Sequence, residues 1–358
     1  MAKKVVVGMS GGVDSSVAAY LLKEQGYDVI GITMQLWQGE GQKQEEAQGT
    51  CDVFRAAKDA ERVAQKLAVP HHVISFEQVF KEKVVDYFVE EYLAGRTPNP
   101  CIACNRYVKW EAMLRAGQEL GADYIATGHY ARIVRLENGR YAVRSCVTGK
   151  KDQTYALYNL TQEQLSHTLM PVGDYTKEQI RQIAQKAGLS VAQKPDSQEI
   201  CFIPDHDYPA FLERQAGERV PGPGYFVSRE GEILGEHQGI THYTVGQRKG
   251  LQLAMGRPVF VTKIRPDTNE VVIGEAADVF GDTLYCHQIN YMGMEKLTGP
   301  KWVRAKIRYA HGGERCLLEE AGEDRIKCTF AEPVRAITPG QAVVFYEDEC
   351  VLGGGIIL

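Results

Sequence analysis

The first 130 residues alternate short apolar runs with longer segments of helical period. Lys4 to Met9 is an apolar, β-branched run that reads as a buried strand, and Ser15 to Gln25 follows as a helix, with Val17/Leu21 and Ala18/Leu22 paired four apart and Gly26 as its C-cap. Asp28 to Met34 reads as a second strand, Asp52 to Leu67 as an amphipathic helix, His72 to Ser75 as a third strand and Phe76 to Leu93 as a helix. A breaker-rich loop, Gly95 to Pro100, precedes a helix from about Tyr107 to Leu120, and Ala122 to Thr127 forms a fourth strand ending at Gly128-His129. Strands separated by helices of this length predict βαβ units and a parallel sheet, whose ligands bind at the carboxyl ends of the strands. Gly39 to Gly49, rich in Gln, Glu and Gly, reads as a mobile loop.

Further along, the pattern changes twice. Thr161 to Arg214 is helix-rich and polar, with Thr176 to Ala187 its clearest helix. After the breaker Val220-Pro221-Gly222-Pro223-Gly224 come short alternating runs, among them Val259 to Ile264, Glu270 to Ile273 and Lys301 to Tyr309, separated by Gly, Asp and Asn turns. The expected organisation is α/β: a nucleotide-binding parallel-sheet domain over 1–164, a small helical domain over 165–218, and a β-barrel over 219–358.

Composition adds constraints. The 358 residues carry a net charge of −5, so any basic surface for nucleic acid must be local. No apolar run approaches the roughly 20 residues that span a bilayer, and the N-terminus does not read as a signal peptide, which predicts a cytoplasmic protein. In that reducing compartment nine cysteines are not a disulfide framework.

Chemistry concentrates at the first strand–helix junction, Gly8-Met9-Ser10-Gly11-Gly12-Val13-Asp14-Ser15. A helix N-terminus presents unpaired N–H groups to phosphate, Gly11 and Gly12 allow close backbone approach, and Ser10 and Ser15 add hydroxyls. Asp14 is a candidate ligand for a Mg2+ ion bridging the phosphates. The loop lacks the Gly-Lys-Ser/Thr ending of a Walker A motif. It resembles instead the loop of ATP pyrophosphatases of the adenine-nucleotide α-hydrolase group, which implies cleavage of ATP between its α- and β-phosphates. Met34, at the second strand end, suits either the core or an adenine contact, and Gly128 and His129 end the fourth strand beside the expected site.

Cys101-Ile102-Ala103-Cys104 sits in the proline-rich loop, and Cys201 lies in Ile200-Cys201-Phe202. One C-x-x-C alone is compatible with a metal knuckle, a redox pair or chance, and without a second pair structural zinc is poorly supported.

Over essentially its whole length the chain resembles the bacterial tRNA-specific 2-thiouridylases. The strings that carry the resemblance are Gly8 to Ser15, Thr97-Pro98-Asn99-Pro100 with Cys104-Asn105, Ala126 to Tyr130, Lys151-Asp152-Gln153, Asp196-Ser197, Ile200 to Phe202, Gly246 to Leu251, Thr338 to Gln341 and Leu352 to Ile356. The resemblance implies ATP-dependent thiolation of the wobble uridine: adenylation of the C2 oxygen, then attack by the persulfide sulfur carried on Cys201, with Cys104 as the nucleophile that cleaves the S–S bond, either to release sulfide as the attacking species or to free the thiocarbonyl product, and with exchange through a Cys104–Cys201 disulfide. It implies tRNA contacts at Asn99, Pro100, Cys101, His129, Lys151, Asp152, Gln153, Arg308, Tyr309 and Gln341. It also implies a cysteine desulfurase or sulfur-relay protein as donor and tRNAs for Lys, Glu and Gln as substrates. Many family members carry Asp at the position of Cys101. A thiol there is a much weaker acid, and three cysteines open a second route: a [4Fe–4S] cluster on Cys101, Cys104 and Cys201 whose free iron holds the sulfide. In the β region, Arg304, Lys306 and Arg308 share one face of the 301–309 run beside Trp302 and Tyr309, a pattern suited to phosphate contact and base stacking. Other readings are a different ligase with the same ATP loop, which needs no cysteine pair, and a non-catalytic tRNA-binding protein.

Overall fold

The computed structural model describes residues 2–37, 52–195, 200–203, 205 and 207–358, without the side chains of 52–54 and 150. The loop expected at 39–49, Cys51 and the string Asp196-Ser197 lie outside the described residues. The chain divides into two compact units: 1–84 with 101–202 and 349–351, and 85–100 with 203–348 and 352–358.

The first unit is built on a five-stranded parallel sheet in the order β3-β2-β1-β4-β7, with β1 Lys4–Gly8, β2 Asp28–Gln35, β3 His71–Ser75, β4 Tyr124–Ala126 and β7 Thr168–Leu169. Central β1 places Val5, Val6 and Val7 in a fully buried position, as a strand covered on both faces requires. The helix Val13–Glu24 packs Val17, Ala18 and Leu22 into the same core as Ala60, Val63 and Ala64 of the helix Asp52–Leu67. The hairpin of β5 Ala131–Arg135 and β6 Tyr141–Ser145 follows β4. The helix expected at 176–187 runs Lys177–Lys186 behind a capping box: Thr176 accepts from the Gln179 N–H while the Gln179 side chain accepts from the Thr176 N–H.

One local expectation is corrected. Cys101 and Cys104 are not in a loop: helix begins at Pro100, continues through Ala103, winds as a π-helix over Cys104–Ala112 and returns to α over Met113–Glu119. Proline is suited to the first helical position, where its missing N–H has no partner to lose. The breaker Thr97 to Pro100 is therefore a helix start.

In the second unit, the helix Asp86–Leu93 packs on Tyr208–Ala216 through Phe88 against Phe211 and Tyr92 against Tyr208. The barrel expected over 219–358 resolves into two sheets. The first has the order β10-β11-β8-β9, from β8 Gly224–Val227, β9 Ile233–His237, β10 Phe260–Arg265 and β11 Glu270–Gly274, around Phe226, Ile240, Val261 and Val271. The second comprises β12 Phe280–Tyr291, β13 Lys301–Lys306, β14 Glu314–Glu320, β15 Arg325–Arg335, β16 Ala342–Glu347 and β17 Cys350–Ile357. Pairing of β12 with both β15 and β17 closes it around an apolar interior. The run expected to stay extended to Tyr309 leaves the sheet after Lys306, so Arg308 and Tyr309 lie in the following turn.

Candidate active site

The loop after β1 has the geometry expected of a phosphate cradle. Gly11 adopts φ +67°, and a Cβ there would lie 2.2 Å from the Ala56 carbonyl oxygen. Gly128 approaches from β4 so closely that a Cβ would sit 2.5 Å from the Ser15 nitrogen. Ser10 N–H donates to Ser15 Oγ at 3.2 Å, the two hydroxyls are 3.3 Å apart, and Ser16 Oγ donates to the Gly12 carbonyl at 2.8 Å. Met9 is buried, whereas Met34 is half-buried, its methyl end 3.7 Å from where a Cβ on Gly8 would be.

Two lysines that sequence reasoning missed converge on this loop. Lys177, 9% exposed, donates to both carboxylate oxygens of Asp14 at 2.8 Å, and Tyr130 Oη donates to Asp14 Oδ1 at 2.8 Å. Lys194 donates to the Gly11 carbonyl at 3.0 Å and to Asp59 Oδ2 at 2.7 Å. The signal available for Lys177 was its place one residue after an N-cap threonine, where a cation is unfavourable beside the positive end of the helix dipole. A buried lysine at such a position implies an anionic partner. Asp14, the candidate magnesium ligand, here faces an ammonium group. Among the described residues no cluster of three His, Cys, Asp or Glu side chains is placed to hold a metal ion.

The three cysteines expected to bear on sulfur transfer lie in the same unit. Cys104 is buried, Cys101 and Cys201 are exposed as residues, and none of the three is in a disulfide. Burial raises the Cys104 thiol; the Lys109 ammonium opposes this, and Cys101 adds to it. Surrounding protein pushes the Cys201 thiol up to about 12, with further upward contributions from Cys104 and Cys101 and an opposing one from Lys109. Cys104, 97 residues away in sequence, is thus one of the groups that bear on the Cys201 thiol. Phe202 fixes the second cysteine by packing edge-on against buried Phe80, with ring centroids 5.7 Å apart. Among the described residues the three cysteines do not form a metal-binding cluster, and the iron–sulfur route is not favoured over the persulfide one.

The remaining expected contacts fall into several places. His129 is half-buried; its Nδ1 is 2.7 Å from Thr127 Oγ1 and its ring packs 5.2 Å from that of Trp110. Burial, reinforced by Lys109, holds its imidazole well below the usual range, so it is neutral. Lys151 ends the turn Gly149–Lys151. Asp152 accepts from Cys146 N–H and Thr154 Oγ1, and Gln153 accepts from Tyr130 N–H at 2.8 Å, so these two side chains hold the loop's own backbone. In the second unit, Gln341 donates to the Thr97 carbonyl at 2.8 Å, and Thr97 N–H donates to Pro339. The Thr338–Gln341 string therefore clasps the segment leading to Asn99 and Pro100. Arg308 donates to the Arg335 carbonyl at 2.7 Å, while Tyr309 is exposed. Alongside, Arg315 stacks 4.3 Å from the exposed Trp302 ring, and Arg304 lies 5.3 Å from that of Tyr346. These side chains line an open groove of about 500 Å³ together with Gly313, Glu347 and Asp348.

Fold and loop together define a nucleotide-binding α/β domain of the HUP type followed by β-barrel domains. The family described as tRNA methyl transferase HUP domain matches residues 3–205, its PRC-barrel domain matches 209–275, and an aminomethyltransferase beta-barrel domain matches 281–357. The chain belongs to the tRNA-specific 2-thiouridylase family. It is 61% identical over 356 residues to the tRNA-specific 2-thiouridylase MnmA of Lachnoclostridium phytofermentans, covering 99% of each chain. It is 52% identical over 358 residues to that of Clostridioides difficile, covering 100% of this chain and 98% of the relative. Among solved structures it is similar to the U34-tRNA thiolase NcsA from Methanococcus maripaludis with its [4Fe-4S] cluster, at 17% identity and TM-score 0.36 over 61% of this chain and 68% of that one, too distant to bear on chemistry. No helix among the described residues is long and apolar enough to cross a membrane.

Proposed function

We propose that this protein is a tRNA-uridine 2-sulfurtransferase that uses ATP to replace the C2 oxygen of the wobble uridine with sulfur. What supports the reading is that Cys104 and Cys201 share one compact unit with the pyrophosphate loop and that Cys104 bears on the Cys201 thiol. The C2 oxygen attacks the α-phosphorus of ATP, and pyrophosphate leaves toward the N–H groups of the loop. Adenylation converts a poor leaving group into AMP. The terminal sulfur of a Cys201 persulfide attacks C2, AMP departs, and the Cys104 thiolate takes the inner sulfur. The result is 2-thiouridine and a Cys104–Cys201 disulfide, which an external dithiol must reduce.

Magnesium enters as the counter-ion of the nucleotide. Asn99, Pro100 and Cys101 receive the splayed uridine at the helix start, and Lys151, Arg308 and Tyr309 belong to the tRNA surface. A cysteine desulfurase or relay protein supplies the persulfide, the substrates are tRNAs of the Lys, Glu and Gln type, and the reaction is cytoplasmic. The test is nucleoside mass spectrometry of tRNA treated with enzyme, ATP and a sulfur source. Cys201→Ser and Cys104→Ser are expected to abolish 2-thiouridine while leaving ATP binding intact. Full activity of either variant would overturn the sulfur assignment.

A further inference from the structure

Two features of the cysteine helix coincide. It winds as a π-helix over Cys104–Ala112, closed by an i→i+5 bond from Met113 N–H to the Val108 carbonyl. It also presents Lys109 five residues after Cys104. In an α-helix residues i and i+5 point to different sides, whereas the wider π turn, with its i→i+5 bonds, brings i+5 round toward the side of i. The local change of winding therefore turns Lys109 toward the side of the helix that carries Cys104. The ammonium is then fixed from two sides. Lys109 Nζ donates to Asn105 Oδ1 at 2.9 Å, and Asn105 is itself anchored, its Nδ2 donating to the Ala156 carbonyl at 2.8 Å. On the other side, His129 Nε2 lies 3.5 Å from Nζ, with Nδ1 of that ring against Thr127 Oγ1. With the imidazole neutral, Nε2 accepts and Nδ1 donates.

We infer that Lys109 is a positioning residue for the sulfur pair, its ammonium held by Asn105 and His129 to stabilise the thiolate of Cys104 and the sulfur anion on Cys201. The inference rests on the sulfur-transfer reading and assigns a role to a residue which that reading leaves unused. The groups that bear on the Cys104 thiol are Lys109, the one opposing charge, and Cys101; Cys201 is influenced by Cys104, Cys101 and Lys109. Loss of water works against both anions, at buried Cys104 and at Cys201 against the surrounding protein, so a fixed cation is what the chemistry lacks without Lys109.

The test is the pH dependence of alkylation of Cys104 by iodoacetamide in the full chain. It is read by peptide mass spectrometry in a Cys101→Ser background, where Cys104 is the one thiol of its tryptic peptide. Lys109→Met is expected to move the midpoint upward by about one pH unit. Lys109→Arg, which keeps the charge, is expected to stay near the parent, and Asn105→Leu to shift in the same direction as Lys109→Met. Superimposable profiles for Lys109→Met and the parent would overturn the inference, as would an equal shift in Lys109→Arg. If Lys109→Met loses ATP binding through misfolding, Asn105→Leu decides by the same two outcomes. Failure of the sulfur reading is separable: it would show as 2-thiouridine formation by Cys104→Ser, a result that alkylation of the parent cannot produce.

Discussion

Lys177 grips Asp14 through both carboxylate oxygens at 2.8 Å, across 163 residues of sequence. Asp14 lies in the first turn of the helix that opens the phosphate loop, so the contact ties the C-terminal part of the unit to the loop's geometry. In Lys177→Met, Asp14 keeps the hydrogen bond from Tyr130 Oη. Breaking a buried ion pair costs about 3–5 kcal/mol, and the 29% exposure of the Asp14 side chain reduces that to roughly 2 kcal/mol. Urea denaturation checks the loss, and ATP titration is expected to show weaker binding in the same variant.

The two close-approach glycines give a sharper prediction. Gly11→Ala combines a left-handed backbone with a Cβ 2.2 Å from the Ala56 carbonyl; Gly128→Ala places its Cβ 2.5 Å from Ser15 N. In both, the obstructing atoms are backbone and cannot rotate away. Each variant is expected to lose at least tenfold in ATP affinity, about 1.4 kcal/mol or more. Gly139→Ala, where a Cβ would meet nothing within 4 Å, serves as the control. Equal ATP affinity in Gly11→Ala and Gly139→Ala would refute the cradle geometry.

The ionisable groups of the first unit define a pH window. His129 is held well below 6.5, so the unfolded chain takes up a proton near 6.5 that the folded one refuses; its contribution is present above 6.5 and is lost as pH falls. Burial raises Cys104 above 9.0, and Cys201 is pushed to about 12. Unfolded thiols ionise first, so stability is retained below 9.0 and lost as pH rises beyond it. Urea midpoints measured from pH 5 to 10.5 are expected to fall on both sides of this window, with His129→Gln flattening the acid limb.

On the closed barrel, Trp302 with stacked Arg315 and the neighbouring Arg304 offer an aromatic face and two cations to RNA. Trp302→Ala and Arg304→Gln are expected to weaken tRNA binding about fivefold, with turnover at saturating tRNA unchanged; filter binding across salt concentrations measures this, and Arg304→Gln is expected to lower the salt slope by about one. Arg308→Ala is expected to lower thermal stability as well, because its guanidinium holds the Arg335 carbonyl.

Much of the first unit was legible in the sequence because it depends on local periodicity. The buried run at Lys4, the helix at Asp52–Leu67 and the capped helix after Thr176 follow from spacing and capping chemistry, and the loop motif lies in one contiguous string. The pairing of Cys104 with Cys201 is an expectation from resemblance and not from spacing. Only tertiary structure decided what faces what. A charge pairing such as Lys177 with Asp14, or a clasp such as Gln341 on Thr97, joins residues 163 and 244 positions apart, for which no local pattern exists. The π winding over Cys104–Ala112, which turns Lys109 toward the side of Cys104, is likewise invisible to a 3.6-residue period. Sequence alone determined the elements and the reactive groups; the fold set their charge environment, because electrostatic coupling depends on distance through space and not along the chain.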